Sequence, residues 1–167
     1  MDNNKLLTST GAISITVLIV AAIGSITVLD VYAQSLGKVF FEEKGKITGQ
    51  KPLGANKIKI SYSSNGTMND NIDVTTFGNF VSISRGNNVT YNQGEAVIKT
   101  KDGTESANYT FLAIGRLVEG GKPIFIGASV YDTNSTGKLA FLDNQVGIFK
   151  FELDKQGNFV NKEWEWK

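Results

Sequence analysis

The sequence predicts an all-β domain, and three observations point to it. From Val39 onward, short runs of β-branched and aromatic residues follow one another, with no convincing 3.6-residue periodicity. Turn-forming residues separate these runs at intervals too short for helical crossovers. Several runs alternate polar and apolar residues, as strands with one wet and one buried face do. We therefore predict a small antiparallel up-and-down β-barrel of eight or nine strands, with a two-sheet sandwich as the alternative.

The predicted turns are marked by Gly, Asn and Asp. Asn-Gly and Asp-Gly pairs accommodate the positive φ that tight hairpin turns need. Pro52 and Pro123 are both predicted to begin strands, where no ladder donor is lost. The predicted turns are Asn65-Gly66, Gly86-Asn87, Asp102-Gly103, Gly120-Gly121, Asn134 to Gly137 and Gln156-Gly157.

Alternation predicts which side chains face the interior. The apolar residues fall on even positions in segment 57–62 and on odd positions in segment 149–154. Segments 111–114 and 124–126 are apolar on both faces, so they are covered on both sides or face a partner. In segment 163–167 both tryptophans share one face, which predicts that the two glutamates point outward.

The barrel interior, or lumen, is predicted to hold mostly aromatic rings. An eight-stranded barrel has just enough lumen for its own side chains or for one small ligand. A filled core and an apolar cavity are therefore the two interpretations. The aromatic residues predicted to be interior are Phe40, Phe41, Tyr62, Phe111, Phe125, Phe149, Phe151, Trp164 and Trp166.

The composition excludes several classes of function. The chain of 167 residues has no Cys and no His, which excludes disulfides, the usual zinc sites, thiol nucleophiles and imidazole bases. Its net charge is +1, and Arg85 and Arg116 are its arginines, which argues against a nucleic-acid partner. We predict no cofactor and no metal site, and the sequence leaves the oligomeric state open.

The N-terminus predicts export. Residues 11–29 carry no charge and would form a helix roughly 28 Å long, close to the thickness of a membrane core. A small-residue motif ends at Ala33, so cleavage before Gln34 is one interpretation and a retained membrane span is the other. Residues 1–33 are thus predicted to be a signal peptide or anchor, 34–37 a linker, and 38–167 an extracytoplasmic barrel domain.

Three segments resemble a known group of proteins. Gly94 to Gly103 (GEAVIKTKDG), Gly137 to Gly147 and the terminal Lys162 to Lys167 (KEWEWK) are similar to small exported archaeal and bacterial proteins of uncharacterised function. The resemblance covers most of residues 38–167. It implies a calycin-like or allene-oxide-cyclase-like barrel, and it implies no reaction because no catalytic motif carries over.

Carboxyl and phenol groups are the candidate site residues, since acid–base chemistry without His must use them. Glu95 and Asp143 lie in strand-like stretches and would point into the lumen or face solvent; Tyr62 and Tyr109 are the other lumen candidates. The favoured function is binding of a small apolar ligand or a role as a surface interaction module. The alternative is a cofactor-free isomerase or cyclase acting on a lipid-like substrate.

Asn65, Asn88 and Asn134 begin Asn-x-Thr sequons in or beside predicted turns, where glycosylation would not obstruct a sheet. A fourth sequon, at Asn108, lies in a predicted strand. The alternative interpretation is that these residues are only polar turn residues.

Overall fold

The structure, a computed structural model, describes residues 36–118 and 121–167. Within these residues, eight antiparallel strands follow one another in chain order around a closed barrel, and the last strand pairs with the first. This confirms the all-β class and the up-and-down barrel, and the sandwich alternative is wrong. The strands are β1 (Leu36–Gly54), β2 (Lys57–Met68), β3 (Ile72–Ser84), β4 (Val89–Thr100), β5 (Ser106–Leu117), β6 (Pro123–Asp132), β7 (Val146–Leu153) and β8 (Asn158–Trp166).

The hydrophobic helix predicted over residues 11–29 and the cleavage site after Ala33 lie outside the described residues. In the described part of the chain, no helix combines the length and the apolar character that a membrane crossing requires. β1 begins at Leu36, within the segment predicted to be a linker.

Most predicted turns connect strands, but one does not. The turns at Gly86-Asn87, Asp102-Gly103 and Gln156-Gly157 are confirmed, while Gly120-Gly121 lies only partly within the described residues. Asn65-Gly66 instead lies inside β2, paired with β1. The β2–β3 turn is formed four residues later by Asn69 and Asp70, with φ angles of 46° and 68°. Two successive positive φ angles suit a tight hairpin turn, so this pair does what was expected of Asn65-Gly66.

The prolines occupy different strand positions. Pro123 begins β6, as predicted. Pro52 does not begin a strand, because it lies near the end of β1, opposite Ile58 of β2.

The inward faces of β2 and β7 are confirmed, but that of β8 is reversed. Phe159 and Asn161 are buried on the same face as Glu163, which is 1% exposed. Trp166 is 58% exposed, so the interior tryptophan prediction is wrong for this residue. The register explains the reversal: Glu163 pairs with Phe41 of β1 and Phe149 of β7, which are both buried.

A short 3-10 helix, Ala140–Leu142, closes one end of the barrel. It lies in the connection from β6 to β7, where Leu139 and Leu142 are fully buried. The carboxylate of Glu105, just before β5, accepts hydrogen bonds of 2.9 Å from the backbone N–H groups of Lys138 and Leu139. These bonds tie the connection to the barrel and hold the two leucines over its end.

Inward-facing glycines make room for the aromatic rings of the core. A Cβ atom at Gly94 would lie 2.7 Å from Cζ of Phe111 on the neighbouring strand, and one at Gly127 would lie 2.7 Å from Cζ of Phe149. Such contacts are too short, so any larger residue would displace a ring. The same relation joins Gly45 with Phe159, Gly66 with Phe41, Gly78 with Tyr62, and Gly115 with Phe125.

Candidate functional site

Polar side chains gather in the middle of the lumen, between the closed end and the aromatic residues of the other end. They come from strands all around the barrel, because each occupies an inward position of its strand. We call this set the lumen site; its members, all buried, are Glu43, Tyr62, Asn92, Tyr109, Tyr131, Asn161 and Glu163.

Glu43 on β1 is held by two neighbours. Ser64 Oγ donates a hydrogen bond to one carboxyl oxygen, and Asn161 Nδ2 donates to the other at 3.1 Å. Burial raises the pKa of Glu43, and both hydrogen bonds act in the opposite direction. This carboxyl group therefore takes up protons more readily than one in water.

Glu163 on β8 has only one of its carboxyl oxygens engaged. The hydroxyl of Tyr131 donates to Oε2 at 2.7 Å. Burial raises the pKa of Glu163 to about 8, the neighbouring hydroxyls of Tyr131 and Ser129 lower it, and the nearby Glu43 raises it. Gly147 on β7 faces this carboxyl group, and a Cβ atom there would lie 2.7 Å from its Cδ. Glycine at this position thus lets Glu163 fit inside the barrel.

Three phenols surround the carboxyl groups. The hydroxyls of Tyr62 and Tyr109 are 2.9 Å apart and hydrogen-bonded to each other. Burial is the main cause that raises the pKa of Tyr62, Tyr109 and Tyr131, and the nearby carboxyl groups add to the effect. All three therefore stay protonated at neutral pH and serve as hydrogen-bonding groups rather than bases.

A cavity of about 40 Å³ lies beside these groups. It has room for roughly three water-sized groups, at about 10–15 Å³ each. Phe125 and Phe151 in its wall are only partly buried and lie near the strand ends opposite the 3-10 helix. The lining residues are Glu43, Tyr62, Phe80, Asn92, Tyr109, Phe111, Ala113, Phe125, Ser129, Phe149, Phe151, Asn161 and Glu163.

Three buried polar atoms of the cavity wall have no hydrogen-bond partner among the described residues. They are Oδ1 of Asn92, Oδ1 of Asn161 and Oε1 of Glu163. Burial without a partner costs each group stability, and native proteins avoid it except where water or a ligand completes the bonding. The cavity is therefore a place where a polar group from outside the chain would be stabilised.

The structure divides the predicted site residues into two groups. Tyr62 and Tyr109 lie in the lumen, hydrogen-bonded to each other. Glu95 is exposed on the outer face of β4, and the exposed Asp143 directly follows the 3-10 helix rather than lying in a strand. Neither carboxylate faces the lumen.

Neither of the lumen carboxyl groups, Glu43 and Glu163, was among the site residues predicted from the sequence. For Glu43 a usable pattern existed, because alternation from Phe41 places it on the inward face. For Glu163, the alternation with the flanking tryptophans predicted an outward-facing side chain.

The sequon residues are all exposed. Asn65 lies within β2, Asn88 in the β3–β4 turn and Asn134 in the connection that follows β6; Asn108 lies on the outer face of β5. Their use for glycosylation stays a prediction.

The two segments that are apolar on both faces leave one face uncovered in the described chain. Phe111 and Phe125 line the cavity, whereas Leu112, Ile114 and Ile126 are exposed on the outer faces of β5 and β6. Ile114 and Ile126 pair across the two strands. These exposed side chains form an apolar patch on the barrel wall.

Comparison with known proteins defines this chain as a small eight-stranded β-barrel protein. No family model and no curated protein matches it. A crystal structure of a protein with unknown function from Clostridium acetobutylicum matches with a TM-score of 0.66 and 13% identity, covering 78% of this chain and 97% of the other. A conserved protein of unknown function from Rhodopseudomonas palustris matches with a TM-score of 0.63 and 14% identity, covering 78% and 96%. At such identities the similarity shows the fold alone.

Proposed function

We propose that this barrel binds a small molecule with an apolar body and a polar end in its lumen. The observation that carries the proposal is the cavity wall, which combines aromatic rings with buried polar atoms that lack partners. Small-molecule sites are commonly built in this way, with apolar walls and a few polar groups that fix the orientation of the ligand.

The two sides of the cavity have separate roles in this proposal. Phe111, Phe149 and Phe151 would cover the apolar body and remove its surface from water. Asn161 and Glu163 would orient the polar end. A ligand much larger than three water-sized groups requires Phe125 and Phe151 to move, because the cavity itself measures about 40 Å³.

A cofactor-free isomerase or cyclase is the second candidate, and Glu163 favours it. A buried carboxyl group whose pKa is raised to about 8 is mostly protonated at neutral pH and is suited to general acid–base work. Tyr62 and Tyr109 would then position the substrate by hydrogen bonds. A lipid-sized substrate would not fit the small cavity unless the aromatic side chains moved aside.

We also propose a cellular location and a fold family for this protein. The uncharged residues 11–29 support export, with the barrel on the outer side of the membrane, secreted or tethered. The closed eight-stranded meander supports a calycin-like or allene-oxide-cyclase-like relationship. Determining the N-terminus of the protein in its host tests the first point, since a chain that begins at Gln34 has been cleaved.

Native mass spectrometry of the full-length chain, purified from its original host before and after mild denaturation, tests binding in the lumen. We expect a small molecule that departs on unfolding. Ala113→Leu would fill the cavity, since Ala113 is buried in its wall, and should abolish the adduct. Ala128→Leu, at a partly buried position that is not part of the cavity wall, is the matched control and should retain it.

A bare polypeptide mass, together with no binding of a small-molecule panel, would contradict the proposal. The interaction-module hypothesis would then remain, and the exposed apolar patch of β5 and β6 would be the surface to test.

A further inference from the structure

We propose that the polar end of the lumen ligand is a protonated amino group, whose N–H donors are accepted by Asn92, Asn161 and Glu163. This inference rests on the proposed function and narrows it to one chemical class, small apolar amines.

The atoms of the cavity wall that lack a partner share one chemical type. The unpartnered atoms of the cavity wall are two amide oxygens, which accept hydrogen bonds, and Glu163 Oε1, which accepts them once its carboxyl group is ionised. The orientations of the two amides follow from what their nitrogens contact: Asn92 Nδ2 faces the carbonyl oxygens of Thr90 and Ala113 at 3.4 and 3.5 Å, and Asn161 Nδ2 donates to Glu43. Turning Asn161 over would place its oxygen against the acceptor oxygen of Glu43.

The number of unpartnered acceptors in the cavity wall indicates which polar group of a ligand would fit there. A carbonyl or carboxylate brings no donor, and a hydroxyl brings a single one. An ammonium group brings three donors, which matches the three acceptors that the cavity wall offers when Glu163 is ionised.

The charge of the cavity wall also favours a cation. Two of the lining residues, Glu43 and Glu163, are acidic, and none of the lining residues is basic. A buried carboxylate without a cationic partner is costly, so these groups disfavour an anionic ligand and favour a cationic one. The aromatic rings of the wall act in the same direction, because a cation is attracted to the face of an aromatic ring.

Binding of a cation is expected to expel a proton. At neutral pH the Glu163 carboxyl group of the empty protein holds its proton, because burial raises its pKa. When the ammonium group arrives, Glu163 becomes a carboxylate and its proton leaves to the solvent, so the total charge in the lumen is unchanged. The titratable groups that face Glu163 are Glu43, Tyr62 and Tyr131. The phenols stay neutral throughout, so the two glutamates govern the pH dependence.

The test compares three probes of similar size on the full-length protein: ethylamine, ethanol and acetate. Their dissociation constants are measured by chemical-shift titration at pH 6 and pH 8. We expect ethylamine to bind at least about tenfold more tightly than ethanol, since hydrogen bonds to charged groups are the stronger ones. We expect acetate to bind most weakly. The affinity for ethylamine should rise at least about tenfold from pH 6 to pH 8. Near its pKa of about 8 roughly half of the Glu163 groups are already ionised, whereas at pH 6 nearly all must lose a proton on binding.

Variants distinguish an effect of the Glu163 charge on binding from a loss of the folded structure. Glu163→Gln should weaken ethylamine binding and remove most of its pH dependence, leaving the part due to Glu43. Glu95→Gln, which changes an exposed carboxylate of β4, should alter neither. Asn92→Ala removes one acceptor and leaves both carboxyl groups, so it should weaken ethylamine about tenfold and leave the pH dependence in place.

Equal affinity for ethylamine and ethanol, or tighter binding of acetate, would overturn this inference and leave lumen binding intact. If none of the probes binds, the amine inference is likewise overturned. The mass spectrometry experiment then decides separately whether the lumen holds a ligand of another class.

Discussion

The closed end of the barrel and the centre of its lumen are both buried, but they are built from different kinds of side chain. At the closed end Met68, Ile98, Leu139 and Leu142 are fully buried and have no polar side-chain group to satisfy. In the centre, two carboxyl groups, two amides and three phenols occupy equally buried positions, and three of their oxygens have no partner among the described residues.

This difference separates stability from function. Burying apolar side chains stabilises the folded state, whereas a buried polar group without a partner destabilises it. Proteins keep locally unfavourable arrangements mainly at functional sites. The closed end therefore contributes stability, and the unpartnered oxygens of the centre reduce it; under the proposed function, a ligand would complete their hydrogen bonds.

The largest expected effect tests the closed end. Leu142→Ala removes a side chain that is 0% exposed and leaves a cavity, so it should lower the free energy of unfolding by about 2–5 kcal/mol. Chemical denaturation measures the change. Leu112→Ala is the control, because Leu112 is 49% exposed on the outer face of β5 and its loss should change stability by no more than about 0.5 kcal/mol. Similar losses for the two variants would mean that the 3-10 helix does not close the core.

The second effect tests the centre through its pH dependence. The pKa of Glu163 is about 8 in the folded protein, above its ordinary value of 4.5, so the folded state binds more protons between these two pH values. The contribution of Glu163 to stability is therefore fully present below pH 4.5 and is lost as the pH rises towards 8, with a slope of at most about 1.4 kcal/mol per pH unit for this group. Glu43, whose pKa is also raised, adds to the slope.

Urea denaturation between pH 5 and pH 8 measures this slope, and Glu163→Gln provides the comparison. Glutamine has nearly the shape of the protonated acid but does not titrate, so the variant should lose most of the slope. An unchanged slope in the variant would show that Glu163 is not the titrating group.

The barrel itself could be predicted from the sequence because its strands carry local patterns. Ile60 and Tyr62 in β2, and Phe149 and Phe151 in β7, alternate with polar residues, and each pattern predicts the correct inward face. Such patterns depend only on the two-residue period of a strand.

The polar centre could not be predicted, because it depends on register between distant strands. Glu163 points inward since β8 pairs with β1, more than a hundred residues earlier in the chain. Its neighbours Trp164 and Trp166 suggested the opposite face, and a one-residue change of register exchanges the two faces of a strand. Glu95 is the opposite case. It was a candidate lumen residue but is exposed, since no local pattern distinguished an exposed carboxylate on β4 from a buried one.

A smaller effect tests the hydrogen bonds within the centre. Tyr62→Phe removes the bond between the Tyr62 and Tyr109 hydroxyls and leaves the buried Tyr109 hydroxyl without that partner, so it should cost about 1–3 kcal/mol of unfolding free energy. Tyr91→Phe is the control, because its hydroxyl bonds to Gln93 on the barrel exterior and its loss should cost no more than about 0.5 kcal/mol. Equal costs would show that the two phenols of the lumen are not coupled.

The smallest effect compares two adjacent carboxyl groups of β1 that face opposite sides of the barrel wall. Glu42 points outward and forms an exposed ion pair of 2.8 Å with Lys162, whereas Glu43 points into the lumen. Water and salt screen the outer pair, so Glu42→Gln should change the free energy of unfolding by at most about 0.5 kcal/mol, and 1 M salt should erase the difference. Glu43→Gln should instead reduce the slope of stability against pH and respond little to salt, because the lumen is shielded from ions. Measuring both variants in the same denaturation series checks the comparison: a salt-sensitive Glu43→Gln, or a pH slope altered by Glu42→Gln, would mean that the two faces of β1 are not electrostatically distinct.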